Sequence, residues 1–297
     1  MKNQNNTTAS FLGSVILLLL VVTSILLLFG ATSTKAQEVE DEREFDYAEG
    51  SKKGPKRWGK LKKEWAACSN GAFQSPIDMS NERVRLISKP ERPIYKPTNA
   101  TIKNRGHDIS LQWGGDAGSI AINGTVYPLR QAHWHSPSEH TIRGRRHLSL
   151  FSGFLRSFFR YDLELHMVHL STDPNLKNKI AVIGVLYKIG KPDKFLSKLT
   201  SYISTMIDEK DEQRSLDVVD PRQIEMHSKR YYRYMGSLTV PPCTEGVIWT
   251  INRKVRTVSR DQVMLLREAV HDYAERNARP IQQQNGRDIY LYGPAAP

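Results

Sequence analysis

The segments Gln131-Ala132-His133-Trp134-His135 and Glu164-Leu165-His166-Met167-Val168 decide how this chain is read. Side chains alternate along a β-strand, so His133 and His135 share one face with Gln131, and Glu164 shares a face of a second strand with His166. A lone histidine is usually structural or superficial, and the chain has nine. Three on strand faces beside polar neighbours carry more weight. Three neutral imidazoles can hold a catalytic zinc and leave its fourth position for water, whereas a structural site closes with four ligands. A metal-bound imidazole donates its other N–H to a group such as Gln131 or Glu164, which fixes its tautomer. The helical alternative, two histidines four residues apart around a glutamate, is absent from the sequence.

The flanking sequence is mostly strand. Ile109, Leu111 and Trp113 alternate with Ser110 and Gln112, and residues 119–127 form two short runs around an Asn123-Gly124 hairpin turn. Residues 180–189 are continuously apolar with Gly184 inside, which suits a central strand buried on both faces. Two helices stand out: one over Phe195, Leu196, Leu199, Tyr202, Ile203 and Met206, and one from the capping box Ser259-Arg260-Asp261-Gln262 through Leu265, Leu266 and Val270 towards Tyr273. Neither carries candidate chemistry. The pattern predicts a single α+β domain, mainly β, built on a large and mostly antiparallel central sheet with a few peripheral helices.

The chain has 297 residues and a formal net charge of +12. Such diffuse charge suits an anionic environment or a solvated basic surface, and no nucleic-acid partner is expected from it. Phe11 to Phe29 is an apolar run, followed by Thr34-Lys35-Ala36, so residues 1–36 read as a secretory signal peptide, with an uncleaved anchor as the alternative. After cleavage no stable membrane insertion is expected. Residues 37–57, acidic and then strongly basic, read as an exposed N-terminal arm before the domain over 58–297. An extracellular or cell-wall destination follows, or a plastid reached through the secretory route. In that compartment Asn99 and Asn123 are glycosylation candidates. It also favours pairing Cys68 with Cys243, the alternative being two free thiols; neither belongs to a metal-binding cysteine cluster. Oligomeric state is not legible.

At these residues the chain resembles the α-class carbonic anhydrases, plant members above all, from Trp58 to the C-terminus. The resemblance rests on residues 74–78 (QSPID), 104–108 (NRGHD), 133–140 (HWHSPSEH), 164–169 (ELHMVH) and 236–245 (GSLTVPPCTE). It implies Zn²⁺ on His133, His135 and His166, with Gln131 and Glu164 behind them, and reversible hydration of CO₂ to bicarbonate by a zinc-bound hydroxide. It further implies that Thr239 takes the hydroxide's hydrogen bond and passes its own to Glu139, and that His107 shuttles the proton. Val168, Val182, Leu238, Val240, Val247 and Trp249 match the substrate pocket, an apolar wall for an uncharged gas. His140 and His169 match structural histidines. A storage or secreted structural protein on the same scaffold is the alternative function.

The chain departs from the family at Arg105 and Ser110, where asparagines commonly order proton-carrying waters, and at Val240, where threonine is common. A cation at Arg105 should disfavour protonated His107. The largest departure is residues 147–160, interposed where family members turn directly into the third ligand's strand. They read either as a splice-boundary artefact or as a real loop, in which Phe151, Phe154, Phe158 and Phe159 would form an apolar patch. An insertion at a hairpin tip leaves both flanking strands in register.

Overall fold

The computed structural model describes residues 44–79, 91–142, 160–207, 209, 212–226, 228–270 and 274–293. The expected signal segment and all of residues 147–160 except Arg160 lie outside them. Arg160 belongs to the fold rather than to an interposed loop: its guanidinium donates to Ser138 O (2.8 Å) and Arg279 O (2.9 Å).

Among the described residues one sheet contains twelve strands. They are β1 (Ile94–Tyr95), β2 (Thr98–Asn104), β3 (Ile109–Trp113), β4 (Gly118–Ile122), β5 (Thr125–His135), β6 (Leu163–Leu170), β7 (Ile180–Ile189), β8 (Gln213–Val219), β9 (Tyr231–Ser237), β10 (Glu245–Asn252), β11 (Arg256–Val258) and β12 (Tyr290–Tyr292). The main order is β12-β9-β10-β7-β6-β5-β3-β2-β8, with β4 against β5, β1 against β4 and β11 against β7. Pairing is antiparallel except where β7 runs parallel to β10 and β11. The Asn123-Gly124 turn closes β4 onto β5 with φ of 49° and 81°, the positive pair a two-residue hairpin requires. β7 is buried from Ile180 to Tyr187, as its unbroken apolar run predicts for a strand covered on both faces.

Register divides the sheet into two chemical faces. His133 pairs with His166, Val168 with Val182, Val182 with Trp249 and Trp249 with Tyr234, so these six side chains lie on one face. Ala132, Met167, Ile183, Thr250 and Arg233 lie on the other. Each face has its own apolar core, one around Trp249, Val182, Tyr232 and Leu238, the other around Trp134, Leu165, Met167 and the helices.

The helix expected over Phe195–Met206 is two short ones, Lys194–Ser197 and Thr200–Ser204. The Thr200 hydroxyl donates to Ser197 O at 2.9 Å, a local competition that ends the first turn. The capping-box helix is Arg260–Glu268, shorter than the expected run towards Tyr273. Its Gln262 accepts from Ser259 N and Asp193 N through Oε1 and donates through Nε2 to Asp193 O, tying it to the first short helix.

The N-terminal arm is exposed at Glu49, Gly50, Lys52, Lys53, Lys56 and Arg57 but anchored at Phe45 and Gly54, which are buried. Phe45 is 2% exposed and packs its ring 5.3 Å from Trp58 and 6.3 Å from Trp65, while Trp58 Nε1 donates to Asp46 O at 3.1 Å. Phe45 and Tyr47 are too sparse to show periodicity, yet burying an aromatic ring outweighs the polar character of its neighbours. This cluster surrounds the Cys68–Cys243 disulfide (S–S 2.05 Å), which settles the question of pairing.

His169 is buried between Tyr95 Oη (2.8 Å from Nε2) and Ala181 O (3.2 Å from Nδ1). The carbonyl can only accept, so Nδ1 carries the hydrogen and Nε2 accepts from the tyrosine. Burial pushes this imidazole down to about 4. The unfolded chain then binds one more proton than the folded one between that value and the ordinary pKa of about 6.5, so stability is full above that range and falls with pH inside it. Urea unfolding from pH 7 to pH 5 is expected to show a loss of stability steeper in the parent than in His169→Gln, by an amount approaching about 1.4 kcal/mol per pH unit. Equal slopes for the two proteins would refute it.

Candidate metal centre

The pairing of His133 with His166, and of His135 with Glu164, brings the three expected histidines together. One ring nitrogen from each lies within 4.8 Å of the others, and the ring centroids are 4.6 to 5.2 Å apart. All three residues are buried.

The second nitrogen of each ring faces an acceptor. His133 Nδ1 lies 3.0 Å from Gln131 Oε1, His135 Nδ1 2.7 Å from Asn277 O, and His166 Nε2 2.9 Å from Glu164 Oε1. An amide oxygen, a carbonyl and a carboxylate cannot donate, so each facing nitrogen holds the hydrogen. The lone pairs of His133 Nε2, His135 Nε2 and His166 Nδ1 are thereby left for a common centre. Gln131 and Glu164 follow from strand periodicity. Asn277 does not: it lies far along the chain, and no spacing rule links it to His135. Its side chain also accepts from Ser136 N and donates to His107 O and Trp134 O, fixing that carbonyl in place.

Glu164 Oε2 accepts from the backbone N–H groups of Glu139 and His140, both at 2.8 Å, and Oε1 also meets His140 Nδ1 at 2.7 Å. His140, Glu164 and His166 can formally be grouped as metal ligands, but their contacts at 2.7 and 2.9 Å are hydrogen bonds that occupy the same atoms. His140 is therefore structural, its Nε2 meeting Tyr234 Oη at 2.6 Å. Gly184 opposes His166, and a Cβ there would come 2.6 Å from Ile251 Cδ1 and 3.0 Å from Glu164 Oε1; the apolar run is interrupted to seat this carboxylate.

The electrostatics suit a cation. Burial alone would raise Glu164, but His140, His166 and their hydrogen bonds hold it well below the usual carboxylate range. Burial lowers His166, favouring the neutral ligand form. Burial also disfavours charge on His135, yet Glu139 above all, with Asp108 and Glu164, raises it. A field that draws a proton to His135 also draws a metal dication. His135 Nε2 and Glu139 Oε2 are both buried without a hydrogen-bond partner and lie 3.7 Å apart. A buried acceptor nitrogen facing two other inward lone pairs is what a three-histidine zinc site requires.

Glu139 Oε1 accepts from Arg279 N at 2.9 Å. Thr239 is buried, but among the described residues Glu139 Oε2 has no hydrogen-bond partner, so the expected bond from the Thr239 hydroxyl is not formed. Val182, Leu238, Val247 and Trp249 pack in one cluster with Val168 against it, and the Trp249 ring lies 4.8 Å from His166. Val240 is not part of that wall; it packs with Phe45, Trp58, Trp65 and the disulfide, because the Val240–Cys243 turn is drawn towards the bridge.

His107 is 2% exposed rather than open to solvent, its ring 5.4 Å from Phe45. Arg105 donates to both Asp108 oxygens (Nε 2.7 Å, Nη2 2.5 Å), and Asp108 Oδ2 also lies 3.5 Å from His107 Nε2. Burial would raise Asp108, but Arg105 first and then His107 and His133 hold it far below the usual carboxylate range. The cation expected to repel a protonated His107 is thus paired with a carboxylate that also faces the ring.

Residues 53–293 match the sequence profile of eukaryotic-type carbonic anhydrase. The chain is 52% identical to carbonic anhydrase Nec1 of Nesocodon mauritianus (89% of this chain, 91% of that protein) and 50% identical to alpha carbonic anhydrase 7 of Arabidopsis thaliana (86% and 88%). Among solved structures, dioscorin complexed with ascorbate superposes with a TM-score of 0.76 at 40% identity, over 86% of this chain and all of that one. With a site of three inward-facing imidazoles on such a sheet, the chain belongs to the eukaryotic-type, or α, carbonic anhydrase family.

Proposed function

We propose that His133, His135 and His166 hold Zn²⁺ and that the protein catalyses the reversible hydration of CO₂ to bicarbonate and a proton. The observation that carries this reading is the convergence of three buried imidazole nitrogens, each oriented by an acceptor on its other side. Zinc in such a site supplies the acidity that makes water a nucleophile near neutral pH, carbonic anhydrase being the type case.

The chain's own residues set the geometry. Gln131, Asn277 and Glu164 hold the tautomers. Glu139 is fixed at both ends, by its own N–H on Glu164 and by Oε1 on Arg279 N, which leaves Oε2 beside His135 without a hydrogen-bond partner among the described residues. Val168, Val182, Leu238, Val247 and Trp249 supply the dry surface for CO₂, which needs no charged clamp. His107 is assigned the proton transfer; a ring beside Asp108 is held where a positive charge is tolerated. Synthesis on the secretory route, with Asn99 and Asn123 both exposed and open to glycosylation, completes the reading.

A storage protein on this scaffold is the second reading, favoured by the similarity to dioscorin dioA3 of Dioscorea japonica, 42% identical over 86% of this chain. Retention of all three imidazoles with their orienting acceptors favours the enzyme.

Stopped-flow CO₂ hydration with zinc and after chelation tests the reading directly, and the absence of a zinc-dependent rate would sink it. His135→Ala is expected to lose zinc and hydration together. Glu164→Gln should bind zinc about 10- to 100-fold more weakly, measured by competition with a chelator, because the His166 N–H loses its anionic acceptor. Zinc affinity equal to that of the parent would remove Glu164 from its orienting role. His107→Ala should slow turnover in weak buffer by roughly tenfold or more, with recovery on adding imidazole. Failure of imidazole to restore the rate would exclude His107 as the shuttle.

A further inference from the structure

The face of the sheet opposite the metal centre carries a cavity of about 530 Å³, within the range of small-molecule sites. Ile183, Thr250 and Arg233, cross-strand neighbours on β7, β10 and β9, form part of its wall. The sheet itself therefore separates it from His133, His135 and His166. Tyr95, Ile120, Ile183 and Met226 make an apolar floor, while Arg92, Arg222, Lys229 and Arg233 stand around it against one lining acid, Glu91.

These charges do not cancel. Both Glu91 oxygens are engaged, Oε2 by Arg233 Nη1 at 2.5 Å and Oε1 by Asn123 N at 2.8 Å. Arg222 is paired with Asp220 at 2.8 Å. Among the described residues no ion pair is made by Arg92 or Lys229, which are the excess positive charge of the lining.

Arg233 is held rather than floating. Its Nε donates to Thr250 Oγ1 at 3.1 Å, and its guanidinium carbon lies 5.1 and 5.0 Å from the rings of Tyr231 and Tyr292. The residue is 6% exposed, and Nη2 is buried with no hydrogen-bond partner among the described residues. A buried charged donor without an acceptor is unfavourable and calls for an explanation.

We propose that this cavity binds a small organic acid, a single carboxylate on a flat apolar body. The carboxylate accepts from Arg233, within the field of Arg92 and Lys229, and the body rests on the floor between Ile120, Ile183 and Met226. A planar carboxylate matches a guanidinium edge. A multiply charged phosphate would meet Glu91 and would leave the apolar floor uncovered.

The test is isothermal titration calorimetry of 2-naphthoate, and of neutral 2-naphthamide, into the zinc-loaded full chain. The same titration is made with Arg233→Gln, with Met226→Trp, which fills the floor without touching the guanidinium, and with His135→Ala, which removes the metal centre. Single-site binding of naphthoate is expected, at least about tenfold weaker for naphthamide and for the Arg233 and Met226 variants, and unchanged in His135→Ala. CO₂ hydration by the Arg233 and Met226 variants should equal that of the parent, which keeps a failure here separate from a failure of the carbonic anhydrase reading. If Arg233→Gln does not fold, Met226→Trp decides. Absence of binding at millimolar naphthoate, parent-like binding by the variants, or loss of binding in His135→Ala, which would place the acid on the metal, each overturns the proposal.

Discussion

The side chain of Glu164 is the interaction on which the centre depends. This fully buried carboxylate takes two ring contacts through Oε1 and two backbone N–H groups through Oε2, so all of its acceptor capacity is used. An unpaired buried carboxylate would take a proton; four donors keep it charged. One anion thereby orients His166, locks His140 and fixes the backbone at Glu139. The strand that delivers it needs Gly184 opposite, so a gap in the core of β7 and a charge in the core of β6 are two halves of one arrangement.

Period-two alternation accounts for the rest of the layout. Because His133 and His166 are direct cross-strand partners, every inward group of β5, β6, β7, β10 and β9 on that face converges on the same region. The reverse face is free to differ. It carries the larger apolar core, buried His169 and the cationic cavity, and it shares no side chain with the metal face. Such a division lets the chemistry on one side and the packing on the other vary independently.

What the sequence made legible was local. Alternation placed His133, His135, His166, Gln131 and Glu164 correctly, the Asn-Gly dipeptide located the β4–β5 turn, and Ser259 with Gln262 located the start of a helix, because each rule acts within a few residues. What escaped is nonlocal. Asn277 reaches His135 through its backbone carbonyl, which has no residue signature at all. Phe45 is one ring in a polar stretch, and only the assembled Trp58 and Trp65 make its burial favourable. Arg105 does not act on His107 as a lone cation, because Asp108, three residues on, pairs with it. Val240 was assigned by its neighbour Thr239, but a turn points successive side chains in unrelated directions, and this one joins the disulfide cluster.

Arg279 connects these nonlocal parts. Its guanidinium is buried and, among the described residues, has no carboxylate in contact; Gln74 Oε1, Ser75 O and Cys68 O hold it, with Trp58 5.7 Å away. Burial lowers it to about 10, so it remains a cation at neutral pH, and Glu139 is the carboxylate that most favours its charge. The same residue donates its backbone N–H to Glu139, while Gln74 carries the chain of contacts on to Cys243 O. Cys243 N in turn bonds Val240 O, and Leu238 N bonds Thr244 O, closing the turn that bears Thr239. The disulfide therefore joins two segments: Cys68, which leads through Arg279 to Glu139 beside His135, and Cys243, which closes the turn bearing Thr239. The three histidines proposed as ligands all come from the sheet, whereas Glu139 and Thr239 come from loops. The buried cation and the bridge give those loops the rigidity that the ligand strands have from their ladder.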